Sequence, residues 1–188
     1  MMTMTGPILK TYRHPWLSRR SYLILDPKSG TGAVVDPIRN VDSYLEDAEA
    51  KGCRIRHVFL TRLNPGHETG HLQLRDRMEA TTHIGAWARP DYGVSPLKNG
   101  DVLEFGDVRL KILETPGRTL EAISILYFDL SIDADSPQAV LTGTTLLIGD
   151  VGAPELPPLG QFNCRELAGM LYGSLRDKLL TLPGGTRV

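Results

Sequence analysis

The sequence predicts an α/β domain built in layers, with mixed sheets. Strand-like and helix-like segments are interleaved along its 188 residues, and hairpin signals stand both early, around residues 21–35, and late, around 102–113. Hairpins need antiparallel neighbours and strand–helix–strand runs need crossovers, so one all-parallel sheet is excluded. The length suits a single domain over residues 1–188.

The elements follow in order. Ser21-Tyr22-Leu23-Ile24-Leu25 reads as a strand, Asp26-Pro27-Lys28-Ser29-Gly30 as a turn, and Gly32-Ala33-Val34-Val35 as the returning strand. Asp42 stands as the cap of a helix over 43–50, with Tyr44, Leu45 and Ala48 on one face and Gly52 at its end. Residues 55–61 form a short β-branched strand. A second helix is expected to begin near Pro65, with Asn64 as its cap, and to run to about Met78; residues 81–86 are the next strand. Two strands flank Gly106-Asp107, a hairpin dipeptide, and Thr115-Pro116-Gly117 is a turn. Residues 122–129 and 139–141 read as strands, with 146–148 continuing the latter. Residues 152–160, rich in Pro and Gly, are an irregular loop. Leu167, Met170, Leu171 and Leu175 have helical spacing within 166–175, and 178–182 begins a last strand. No internal repeat or low-complexity tract is present.

Composition narrows the function classes. A hydrophobic fraction of 41% supports a core, and a net charge of −1 gives no electrostatic reason to expect nucleic acid or a membrane surface. No apolar run reaches the ~20 residues that span a bilayer, and the N-terminus lacks a basic-then-apolar signal pattern. The two cysteines, Cys53 and Cys164, form no CxxC and read as free thiols in a reducing compartment, so a cytoplasmic location is expected.

The chemistry concentrates in Thr61-Arg62-Leu63-Asn64-Pro65-Gly66-His67, where a strand runs into a loop. Four further segments accompany it: Val34-Val35-Asp36-Pro37, Thr115-Pro116-Gly117-Arg118-Thr119, Thr142-Gly143-Thr144-Thr145-Leu146, and Ile148-Gly149-Asp150-Val151-Gly152 followed by Pro154 and Leu156. In this order they resemble the metallo-β-lactamase-fold superfamily, in the branch of persulfide dioxygenases, glyoxalase II-type thioester hydrolases and lactamase–rhodanese fusion proteins. The resemblance implies a four-layer αββα sandwich with its site on loops at one edge. The branch's Tyr-Pro-Gly-His segment would follow Val188, so the C-terminal end is expected to be truncated relative to the family.

The resemblance also implies a ligand set. The dioxygenase branch holds one iron with two histidines and a carboxylate, at positions that here are Arg62, Arg118 and Thr144. The hydrolases add a second metal through positions that are Asn64, Gly66 and His67. Arginine stays protonated and offers no lone pair, so the expectation is no metal, neither the iron nor the zinc of the family, and no catalytic residue. Ala153 replaces an arginine that the dioxygenase loop uses for its thiol substrate.

Two guanidiniums in one cleft repel, by about 4 kcal/mol at 4 Å and an effective dielectric near 20. They must sit apart or share an anion such as Asp150, Glu121 or a bound ligand. The candidate anion-binding set is therefore Arg62, Asn64, His67, Arg118, Thr144, Thr145 and Asp150. The plainer alternatives stay open: paired arginines in an abandoned cleft, an Asn64-Pro65 helix start, and a structural His67. The leading expectation is a metal-free, non-catalytic domain that binds a small anion or a protein partner, connected with sulfur metabolism. The rivals are an active persulfide dioxygenase or thioester hydrolase with a displaced metal, and a purely structural or assembly domain. A rhodanese-type partner and a homo-oligomer are both compatible with the fusion branch.

Overall fold

Alternation along one strand decides the layering. In the computed structural model, which describes residues 6–14, 19–63, 69–155 and 162–188, β2 (Arg19–Asp26) sends Leu23 and Leu25 to one face and Ile24 to the other. All three are buried, so this strand is covered on both sides. It lies second in a six-stranded sheet ordered β1 (Ile8–His14), β2, β3 (Thr31–Val35), β4 (Arg54–Leu60), β5 (Thr81–Gly85) and β6 (Ser95–Leu97). The first two pairings are antiparallel and the last three parallel. Helices α1 (Asp42–Glu49) and α2 (His71–Met78) provide the first two parallel crossovers.

The second sheet is an antiparallel meander, β7 (Val102–Phe105), β8 (Val108–Glu114), β9 (Ile123–Asp129) and β10 (Ala139–Leu141), in spatial order β10-β9-β8-β7. Every residue of β9 is buried. Its Ile123, Ile125 and Tyr127 pack between the sheets with Ile24, Val35 and Phe59, while Leu126 and Phe128 face outward to Leu175 and Leu179. The outer face of the first sheet packs Val34, Ile55 and Val58 against Tyr44, Ala48 and Leu74 of α1 and α2. Helix, sheet, sheet, helix is the αββα order expected. Burying each of these Leu, Ile and Val side chains is worth about 1.5–3 kcal/mol, so the alternation itself fixes which face each strand presents.

Several local expectations are corrected. Asp42 is the first helical residue of α1, not its cap, and Val41 at the cap position makes no side-chain hydrogen bond. Helix α2 begins at His71 rather than near Pro65, because Thr69 bridges Ile38 and the Gly70 N–H donates to Pro37 O at 3.0 Å. Residues 146–148 do not extend β10; Leu146 and Leu147 (β11) pair with Val151 and Asp150 (β12) in a separate two-stranded ribbon. The stretch 178–182 is not a strand, since α3 (Cys164–Gly173) passes into a π-helical turn over Ser174–Leu179. Strands β1 and β6 had no counterpart in the sequence reading. No helix among the described residues is long and apolar enough to cross a membrane.

Candidate functional site

The loops that leave β3, β4, β8 and β10 meet at one edge of the sandwich. Asp36 closes β3 in a left-handed conformation, φ 49°, and its carboxylate accepts both the Thr61 N–H (2.8 Å) and the Thr61 hydroxyl (2.7 Å). The Thr61 carbonyl accepts from the Ile123 N–H of the other sheet at 2.8 Å. Gly143 closes in from β10, and a side chain there would collide with the Thr61 hydroxyl. Thr61 is thus fixed from three directions, and the next residue, Arg62, has its direction set by that anchor.

Arg118 arrives from the Thr115-Pro116-Gly117 turn. Gly117 has φ 145°, and a Cβ there would run into the backbone of Leu171 in α3, so only glycine lets the turn pack this closely. The Thr115 hydroxyl is tied to Ser124 (3.0 Å) and Thr145 (3.2 Å) inside the domain.

Arg62 and Arg118 converge on one carboxylate, Glu155. The Arg62 Nη1 lies 3.5 Å from Glu155 Oε2, while Arg118 Nη2 donates to Glu155 Oε1. The Arg118 Nη1 also donates to Ala153 O at 3.3 Å, and the Arg118 carbonyl accepts from the Glu155 N–H at 2.7 Å. Each guanidinium meets its own carboxylate oxygen, which offsets the repulsion expected between them. The Arg62 side chain is only 11% exposed and that of Glu155 is 42% exposed. Sequence reasoning missed Glu155 although it stands between Pro154 and Leu156 of a motif segment; only folding brings it to the arginines.

The other candidates separate into three groups. Thr144 stands beside Arg118, with Gly152 wedged between its carbonyl and the Arg118 chain. Thr145 is only 2% exposed and bonds to Thr115, so it is a core hydroxyl rather than a ligand-facing one. Asp150 is exposed on β12 and accepts from the neighbouring Val151 N–H, far from the role of an arginine partner. Glu121, the other expected partner, instead accepts the Leu63 N–H at 2.9 Å. Asn64 and His67 lie outside the described residues.

A cavity of about 290 Å³ opens beside this cluster. Arg20, Tyr22, Asp36, Arg62 and Thr144 supply its polar wall; Ile38, Leu60 and the ribbon residues Leu146, Leu147 and Ile148 supply its apolar wall. Burial raises the Tyr22 phenol above its usual range, while Arg20 beside it pulls the other way. Among the described residues, the charged side chains at this edge include Arg20, Arg62 and Arg118 together with Asp36, Glu121 and Glu155.

At the positions that the resemblance equates with iron ligands, the chemistry does not fit a metal. Two guanidiniums bring no lone pair and a positive charge each, and Thr144 brings a neutral hydroxyl. Among the described residues no three His, Cys, Asp or Glu side chains are grouped so as to hold an ion.

No family model matches the chain. It is similar to the cytoplasmic hydroxyacylglutathione hydrolase of Arabidopsis thaliana, 29% identical over 183 residues, covering 96% of this chain and 66% of that protein. It is also similar to the mitochondrial persulfide dioxygenase of Bos taurus, 25% identical over 180 residues, covering 94% of this chain and 65% of that one. The chain therefore spans just under two thirds of the length of these relatives. Among solved structures it superposes on a metallo-β-lactamase from Staphylococcus aureus with a TM-score of 0.85 and 26% identity, covering 96% of this chain and 54% of that one. It superposes on ETHE1 from Myxococcus xanthus with a TM-score of 0.76 and 28% identity, covering 94% and 71%. Likeness that runs along nearly the whole chain, in sequence and in the stacking of both sheets, means that this protein has the metallo-β-lactamase fold.

Proposed function

We propose that this domain works without a metal, is not catalytic, and binds a small anion at Arg62 and Arg118. The observation that carries the reading is the shared grip on Glu155: both guanidiniums are aimed at a single oxyanion, one oxygen each. A planar guanidinium fork suits carboxylate and phosphate oxygens better than a point charge does. The test has two readouts. Protein purified without chelators and then exposed to iron or zinc should retain well under one metal per chain by elemental analysis. Sulfate or inorganic phosphate should raise the melting temperature of the wild type and leave the Arg62→Ala, Arg118→Ala double variant unmoved; an unmoved wild type rules out the anion site.

One observation favours a second reading. The relatives are named as a hydrolase and a dioxygenase, and an active homologue here would need a displaced metal drawing on His67 and Glu68. Near-stoichiometric iron or zinc in the same analysis selects that reading over the first.

A further inference from the structure

We infer that the ligand of this cleft is a carboxylate with an apolar body, and that Glu155 is its built-in stand-in; the inference rests on the anion-binding reading above. The group that the two arginines hold is itself a carboxylate, oriented so that each oxygen meets one guanidinium. Arg62 is at the same time part of the cavity wall, and the surface that continues from it is Leu60, Ile38 and the ribbon residues Leu146, Leu147 and Ile148. A volume of about 290 Å³ lies at the small end of the range, about 300–1,000 Å³, in which small-molecule sites fall. A polar head at the arginines and a short apolar chain along the ribbon would fill it.

The pairing requires an exchange. With Arg62 and Arg118 both matched by Glu155, an incoming anion meets them only if a resident carboxylate leaves. Asp36 is not that group, because Thr61 donates to both of its oxygens. Glu121 is held by a main-chain N–H. Glu155 is the most exposed, with 42% of its side chain accessible, and two guanidiniums hold that side chain. Its own N–H stays on the Arg118 carbonyl, so the side chain can swing out while the segment keeps its place. Swapping one carboxylate for another leaves no guanidinium unpaired, which is the costly outcome in a half-buried site. The latch taxes affinity by the fraction of time it is closed.

Calorimetric titration with hexanoate, acetate and sulfate tests this on the wild type and on Glu155→Gln, with Glu155→Ala as a second variant and circular dichroism to show that each is folded. A latch closed about nine-tenths of the time predicts roughly tenfold tighter hexanoate binding by both variants. Each buried methylene is worth about fourfold, so hexanoate should exceed acetate by at least about tenfold. Equal hexanoate affinity in wild type and variants overturns the stand-in role. Hexanoate no tighter than acetate overturns the ligand class while the anion site stands. Failure of all three probes to bind any of the proteins removes the anion site itself.

Discussion

Acidification should weaken this fold through one buried imidazole. His83 of β5 is 6% exposed, stacks on Phe59 (ring centroids 4.8 Å apart, 19° between planes), and shares a 3.1 Å hydrogen bond between its Nε2 and His57 Nδ1. Its Nδ1 is buried with no partner. The titratable neighbours that bear on the pair are each other and Arg56, and Phe105 stacks on His57 from the second sheet. Protonating His83 would put a charge and an unsatisfied N–H into the core. Burial, with His57 beside it, lowers its pKa from 6.5 to about 4. The unfolded chain then binds a proton below pH ~6.5 that the folded chain refuses until about pH 4, so stability is full above that window and is lost as pH falls through it. At about 1.4 kcal/mol per unit, the loss between pH 7 and 4.5 is about 2 kcal/mol from His83 alone. Burial lowers His14, His57 and His71 as well, which adds in the same direction. Asp47 and Asp133, held low by hydrogen bonds, lose their contribution only below the ordinary carboxylate range and so do not fill this window. Urea unfolding at pH 7, 6, 5 and 4.5 measures the slope, and His83→Phe, which keeps a ring on Phe59 without a titrating group, should flatten it by about one proton. A loss under about 1 kcal/mol across the range, or an unchanged slope in His83→Phe, refutes the reasoning.

Two further perturbations read the supports of the site. Gly117→Ala places a methyl within 2.6 Å of the Leu171 amide nitrogen at a φ of 145°; overpacking should cost about 1–3 kcal/mol, and a thermal melt should show the loss together with a smaller anion-induced shift, since the turn carries Arg118. Asn163→Ala removes the capping box at α3, in which Asn163 Oδ1 accepts from Glu166 N–H (3.0 Å) and Glu166 Oε2 accepts from Asn163 N–H (2.8 Å); about 1 kcal/mol of stability should disappear in urea unfolding, and an unchanged midpoint would mean that the cap is not engaged in solution.

The sequence carried the fold further than it carried the site. Strands β2, β3, β8 and β9 were legible because their alternation and turn residues are local signals, and the layer order followed from the family likeness. The start of α2 was misread because Asn64-Pro65 looks like a cap and first turn, whereas a tertiary bridge at Thr69 and the close approach of Gly70 to Ile38 decide where the helix begins. The end of α3 was misread although the signal was present: Leu167, Leu171, Leu175 and Leu179 recur every four residues, and this periodicity outweighs the strand-like composition of 178–182. Arg62 and Arg118 stood out by chemistry at recognisable motif positions. Glu155 also lies within a motif segment, but its pairing was not legible, because residues 62, 118 and 155 are joined only by the topology that brings the ends of both sheets together.

Magnitudes decide what Glu155 is for. It links the loop after β4 to the loop after β8, and so ties one sheet's edge to the other's. Glu155 itself is 42% exposed, so water screens these pairs and fills in when the carboxylate leaves, and the edge does not rest on them alone. The same edge is already held by the Thr61 carbonyl on Ile123 N–H, by two hydrogen bonds from Thr61 to Asp36, and by Glu121 on Leu63 N–H. Hydrogen bonds to a charged group are worth about 1.5–3 kcal/mol each, so these anchors together outweigh the two screened Glu155 pairs. The scaffold therefore keeps its shape whether or not Glu155 is engaged. A carboxylate that the fold does not need, placed where two buried-edge cations require one, is a group free to be exchanged, and removing it should alter what the cleft binds far more than how stably the domain folds.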